Sequence, residues 1–138
     1  QNPTAPRPAA SAATGPDEVV VPRFAPVPPG RPRRRYAVLG TGHRAGMYVG
    51  ALTGPHRDVA ELVAWCDPNP GRIDFHDAEA GAALGLGGPA GLPRYAPEDL
   101  ERMVAEQAVD VVVVTTPDDR HAEHVARAQA AGADVVLD

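Results

Sequence analysis

The stretch that most constrains this chain is Arg35-Tyr36-Ala37-Val38-Leu39-Gly40-Thr41-Gly42-His43-Arg44-Ala45-Gly46. Tyr36 to Leu39 is a continuous apolar run, as expected of a strand buried on both faces of a parallel sheet. The residues that follow have the form G-x-G-x-x-A, with Gly40, Gly42 and Ala45 at the small positions. Gly40 lets the chain turn sharply out of the strand. Gly42 has no Cβ, so a diphosphate can come close to the backbone. Ala45 lets the following helix pack tightly on the strand. Thr41 and His43 fill the intervening positions, and the helix start offers free N–H groups and a partial positive charge. Arg44 either pairs with a diphosphate held there or stands in solvent.

A glycine pattern alone says little; its context says more. The run Val59 to Cys66 reads as a second strand, and Asp67 closes it. A carboxylate in this place accepts hydrogen bonds from the ribose hydroxyls of a dinucleotide and repels a 2′-phosphate. Its spacing from the turn is somewhat longer than the usual ~20 residues. The competing structural reading makes Asp67 a helix cap. NAD is therefore favoured, with NADP left open because Arg72 offers a compensating charge.

From Arg35 onward the elements alternate. A first helix is expected from about His43 to Leu52, with Ala45, Val49 and Leu52 on one face, stopped by Gly54-Pro55. Pro68-Asn69-Pro70-Gly71 is turn chemistry, and a helix from about Arg72 to Leu84 follows. Gly85 to Pro93 reads as a loop and Arg94-Tyr95 as a short third strand. Pro97-Glu98-Asp99 opens the next helix, whose inner side carries Leu100, Met103, Val104 and Gln107. Val109 to Thr115 is the strongest strand, β-branched and suited to a central place. The last helix is expected over 120–131, with Ala122, Val125, Ala126 and Gln129 inward and Gly132 ending it. Asp134 to Leu137 is the final strand. Right-handed crossovers then give an α/β doubly wound parallel sheet in the order 3-2-1-4-5. Its crevice opens where the first and fourth strands diverge, between the Gly40 turn and the Thr115-Thr116-Pro117 turn.

Residues 1–34 form a different region, a Pro/Arg-rich arm, with nine of the chain's sixteen prolines. Proline removes donors and blocks helix, so the arm is expected to be extended or disordered. Residues 1–35 carry six arginines against Asp17 and Glu18, a net of plus four; the remaining seven arginines face sixteen acids, a net of minus nine. The arm thus suits the acidic body of its own or a neighbouring subunit, and a homo-oligomer is compatible with that. Arg31-Pro32-Arg33-Arg34-Arg35 is too short and too poor in aromatics to read as a nucleic-acid site. There is no lysine, hence no amine for acid, base or Schiff-base chemistry. Cys66 is the only cysteine and lies within a buried strand, so it reads as a core residue. No run is long and apolar enough for a membrane span or leader, and a cytoplasmic setting is expected. The chain begins at Gln1 and ends on a strand, so it is expected to be part of a longer parent.

With both lips identified, residues 35–138 resemble the N-terminal domain of the Gfo/Idh/MocA oxidoreductases. Three stretches carry the resemblance: Gly40-Thr41-Gly42-His43-Arg44-Ala45, Trp65-Cys66-Asp67, and Thr115-Thr116-Pro117-Asp118-Asp119-Arg120-His121. The last looks like the family's T-P-x-x-x-H segment, which runs beneath the nicotinamide. The resemblance implies that Thr116, Pro117 and His121 line that side, next to Thr115 of the same lip, and that Arg72 lies near the adenosine end. It further implies hydride transfer between a nicotinamide and a hydroxyl-bearing carbon on a sugar- or polyol-like small molecule. The family's Glu-Lys-Pro motif, whose lysine assists proton transfer, is not completed: Asp138 stands at the glutamate position. The resemblance therefore implies cofactor binding for this chain and the oxidoreductase activity for its parent.

Two other readings remain at this stage. An S-adenosylmethionine-dependent methyltransferase also uses a glycine turn and an acid after the second strand, and a non-catalytic nucleotide sensor or partner-binding module would need no lysine. His121 and His124 lie three apart on a helix, but no carboxylate or cysteine completes a metal-ligand pattern. His121 is expected to touch cofactor or substrate and His124 to lie on the surface; His56 and His76 carry no signal. No activated serine or cysteine nucleophile is visible.

Overall fold

The computed structural model describes residues 33–137. The expectations for residues 1–32, and the one for Asp138, fall outside the described residues.

The elements in chain order are β1 (Arg34–Leu39), α1 (Ala45–Thr53), β2 (Ala60–Cys66), α2 (Pro70–Ala83), β3 (Arg94–Tyr95), a 3-10 turn (Pro97–Asp99) leading into α3 (Leu100–Glu106), β4 (Val111–Val114), α4 (Asp118–Ala130) and β5 (Asp134–Leu137). The strands form one five-stranded sheet in the order β3-β2-β1-β4-β5, with every neighbouring pair parallel. This is the doubly wound arrangement that the alternation predicts.

Strand periodicity sends alternate residues to opposite faces. Tyr36, Val38, Val111 and Val113 pack with Tyr48, Leu52 and Ile73 beneath α1 and α2. Ala37, Leu39, Val112 and Val114 pack with Leu100, Met103 and Ala128 beneath α3 and α4. The buried stretches of β1, β2 and β4 are thus apolar because both faces are covered. Cys66 is fully buried in this second layer, and burial pushes its thiol up to about 12. It behaves as a small core residue.

α2 begins two residues earlier than the sequence reading places it. Asn69 caps it by accepting the Arg72 N–H at 3.1 Å, and Pro70 takes the first helical position. The inward face of α4 also differs from expectation. His124 and Ala128 are buried and His121 and Val125 half-buried, whereas Ala122, Ala126 and Gln129 are exposed. The stripe is rotated by one residue, with His124 turned inward to Thr116 and Ala128 into the core.

The arginines at the start of β1 are engaged within the domain. Arg34 pairs with Asp134 at 2.7 Å, and Arg35 donates to the Gln107 carbonyl at 2.8 Å. The Arg35 N–H is also held by Asp110 at 2.8 Å. Among the described residues, no helix is long and apolar enough to cross a membrane.

Candidate functional site

The C-terminal ends of β1, β2 and β4 open into a cleft of about 610 Å³. Its floor is the glycine turn between β1 and α1. Gly40 has φ +94, and a Cβ there would lie 3.0 Å from the Thr115 backbone carbon, from Thr115 Oγ1 and from Thr116 Cγ2. The two lips therefore touch at a point where only glycine fits. Thr115 closes the contact by donating its hydroxyl to the Gly40 carbonyl at 2.7 Å. Gly42 is open: a Cβ there would meet only Arg72 Nη1, at 3.6 Å. The N–H groups of Gly42 and His43 make no hydrogen bond to other described residues. Ala45 is fully buried and packs α1 against the sheet rather than lining the cleft.

Thr41 and Asp67 tie this turn to the next. Asp67 is buried; its Oδ2 accepts the Thr41 N–H at 2.8 Å and its Oδ1 accepts the Asn69 N–H at 2.7 Å. The carboxylate thus spans the β1–α1 and β2–α2 turns. Each oxygen keeps a further lone pair, and Asp67 lines the cleft. Its capping role is therefore real but indirect, since Asn69 caps α2. The Thr41 hydroxyl is buried without a hydrogen-bond partner among the described residues. A buried, unsatisfied hydroxyl in a phosphate-type turn, beside open N–H groups and a glycine cradle, fits a dinucleotide.

The opposite wall comes from the β4–α4 turn: Thr115, Thr116, Pro117 and His121 all line the cleft. Arg44 and Arg72 line it as well. The Arg72 guanidinium has no ion-pair partner among the described residues. Thr41 and His43 instead line a neighbouring cavity of about 740 Å³ that runs between α1 and α2. This larger cavity meets the cleft at Gly42 and Arg72, and most of its wall is helix surface away from the strand ends. The chemistry-bearing residues concentrate in the smaller one.

Two histidines were misjudged from sequence. His124 is not on the surface: it is 3% exposed, with Nδ1 2.9 Å from Thr116 Oγ1. Burial holds its imidazole below the ordinary histidine range. His76 does carry a role: it is 4% exposed and donates Nε2–H to the Gly42 carbonyl at 3.1 Å. Asp77 beside it is buried and accepts from Trp65 Nε1 at 2.9 Å and from the Gly91 and Leu92 N–H groups. Burial pushes its carboxyl up, but these three donors more than offset that and leave it lowered. The signal available for both was the stripe Ile73, His76, Asp77, Ala80, which has the i, i+3, i+4, i+7 spacing of a buried face.

The sequence model of the Gfo/Idh/MocA family, described as an oxidoreductase family with an NAD-binding Rossmann fold, matches residues 34–138. The chain belongs to this family. No curated protein matches it. Among solved structures, it is similar to the WlbA dehydrogenase from Bordetella pertussis in complex with NADH and UDP-GlcNAcA, with 30% identity and a TM-score of 0.57 over 76% of this chain and 29% of that one. It is similar to the aldose-aldose oxidoreductase from Caulobacter crescentus complexed with glycerol, with 26% identity and a TM-score of 0.58 over 76% of this chain and 29% of that one. The scyllo-inositol dehydrogenase from Lactobacillus casei shares the fold, at 21% identity and a TM-score of 0.57 over 75% of this chain and 27% of that one. This Gfo/Idh/MocA chain thus spans less than a third of the length of these relatives.

Proposed function

We propose that this chain is the NAD-binding part of a dehydrogenase that moves a hydride between the cofactor and a hydroxyl-bearing carbon of a sugar or cyclitol. One observation carries the reading: the Gly40 turn, Asp67 and the Thr116–His121 segment converge on a single cleft at the strand ends. The cofactor, when bound, supplies the hydride from C4 of its nicotinamide. The chain's own residues bind and orient it. The open N–H groups of Gly42 and His43, with the dipole of α1, hold the diphosphate, and Arg44 and Arg72 add charge. Asp67 offers its remaining lone pairs to the adenosine ribose. Its charge opposes a 2′-phosphate, so NAD is preferred over NADP. Thr115, Thr116, Pro117 and His121 form the wall on the nicotinamide side. No residue here is assigned a proton transfer at the substrate.

The substrate class is supported by the sugar and cyclitol names of the similar structures.

Titration of NADH and NADPH by nucleotide fluorescence tests the reading. The protein is expected to bind NADH more tightly than NADPH. Asp67→Ala is expected to weaken NADH binding about tenfold and to erase the preference, the loss of one charge-assisted hydrogen-bonding group. Thermal unfolding of the same samples separates lost contact from lost fold. Unchanged affinity and preference in the variant would overturn the role of Asp67. Binding of S-adenosylmethionine with no nicotinamide nucleotide would replace the whole reading by a methyltransferase.

A further inference from the structure

The diphosphate reading of the Gly40-Thr41-Gly42 turn leaves one buried group on α2 unexplained. His76 has almost no solvent contact, and the other buried polar residue of α2, Asp77, is already satisfied by Trp65, Gly91 and Leu92. A histidine at a buried helix position costs stability unless its ring nitrogens are satisfied. Its Nε2 lies 3.1 Å from the Gly42 carbonyl, which can only accept, so Nε2 carries the proton. The same carbonyl accepts the Ala45 N–H at 3.2 Å, so both of its lone pairs are used. The ring itself is held in place. Phe75 meets it edge-on at 5.2 Å between centroids, and the Trp65 ring lies tilted at 6.2 Å. Trp65 is in turn anchored by its indole N–H to Asp77.

The consequence follows from peptide geometry. The peptide joining Gly42 to His43 is trans and planar, so its N–H is antiparallel to its C=O. Fixing the Gly42 carbonyl toward α2 fixes the His43 N–H in the opposite direction. Glycine at position 42 has wide backbone freedom, and the hydrogen bonds from the Ala45 N–H and His76 together remove much of it.

We propose that His76 is a positioning residue for the cofactor: it locks the Gly42–His43 peptide so that the His43 N–H is presented to the diphosphate before the ligand arrives. This rests on the proposed function of the cleft. His76 touches no ligand atom; it lowers the ordering cost of binding.

The test compares wild type, His76→Phe and His76→Gln by NADH titration and thermal unfolding. Phenylalanine keeps the aromatic packing but cannot donate; glutamine restores a donor at about the same reach. His76→Phe is expected to raise the NADH dissociation constant about tenfold, the cost of ordering about one freed backbone residue on binding, while the lost hydrogen bond lowers the unfolding temperature only modestly. His76→Gln is expected to recover most of the affinity. In wild type, nitrogen-15 spectra of the imidazole are expected to show a protonated Nε2. This readout needs no variant and stands even if His76→Phe fails to fold. Wild-type affinity in His76→Phe, absence of rescue by His76→Gln in a folded sample, or an unprotonated Nε2 would each overturn the inference while leaving the cleft's function intact. Failure of wild type to bind NADH at all would remove the proposed function, and this inference with it.

Discussion

Gly40 carries the tightest steric demand in the cleft. Its φ of +94 lies in the left-handed region, and its missing Cβ would sit 3.0 Å from both Thr115 and Thr116. Neither neighbour can yield easily, because Thr115 is hydrogen-bonded back to Gly40 itself. Gly40→Ala is therefore expected to cost about 1–3 kcal/mol in denaturant-unfolding stability, the usual range for a strained backbone position, and to weaken nucleotide binding in parallel. Wild-type stability in that variant would mean that the lips are not in contact. Residues of this kind were legible in the sequence, because a glycine turn and an acid at a fixed place encode backbone geometry directly. His76, Asp77 and His124 were not. Each is a polar residue on an inward face, and its partner lies on another element: Gly42, Trp65 and Thr116 respectively. The helical spacing of α2 marks His76 and Asp77 as inward-facing, but no spacing announces the bonds, which exist only after folding.

The elements themselves were legible where burial on both faces makes β1, β2 and β4 apolar runs, and the edge strands β3 and β5 also fall where the sequence places them. The helices were less so. α2 starts earlier because an Asn-Pro pair works as cap and first turn, and the face of α4 is rotated because His124 turns inward to bond Thr116. What fixes α4 is partly electrostatic. Arg127 on α4 makes a two-pronged pair with Glu101 on α3, at 2.7 Å on both oxygens, and also donates to the Pro97 carbonyl at 2.9 Å. The Arg127 hydrogen bonds hold the Glu101 carboxyl down from 4.5 to about 2. A carboxyl lowered in the folded state stabilises it fully above its unfolded value of 4.5, and that contribution is lost as pH falls toward about 2. Glu101→Gln is therefore expected to flatten the acid limb of the stability profile between those values. At neutral pH its cost is expected to be about 1 kcal/mol or less, because the Glu101 side chain is half exposed. Urea unfolding at several pH values measures both. An unchanged acid limb would show that the pair does not hold α4 to α3.

At the scale of the molecule, the cleft is a seam between two layers. α1 and α2 cover one face of the sheet and α3 and α4 the other, and the turns that lead from β1 into α1 and from β4 into α4 touch at the strand ends, where Thr115 donates to Gly40. A dinucleotide across that seam would contact the β1–α1, β2–α2 and β4–α4 turns together. Such a ligand binds the folded chain and has no site on the unfolded one, so it must raise stability by mass action. At a hundredfold excess over its dissociation constant the gain is about 2.7 kcal/mol. For a folded region of this size that corresponds to a rise in Tm on the order of 10 °C. The rise is expected to grow with the logarithm of NADH concentration, to be smaller with NADPH, and to shrink in Asp67→Ala. A scanning-calorimetry series over nucleotide concentration reads all three. A Tm that stayed flat through millimolar NADH would mean that the seam is not bridged by the cofactor, whatever the turn resembles.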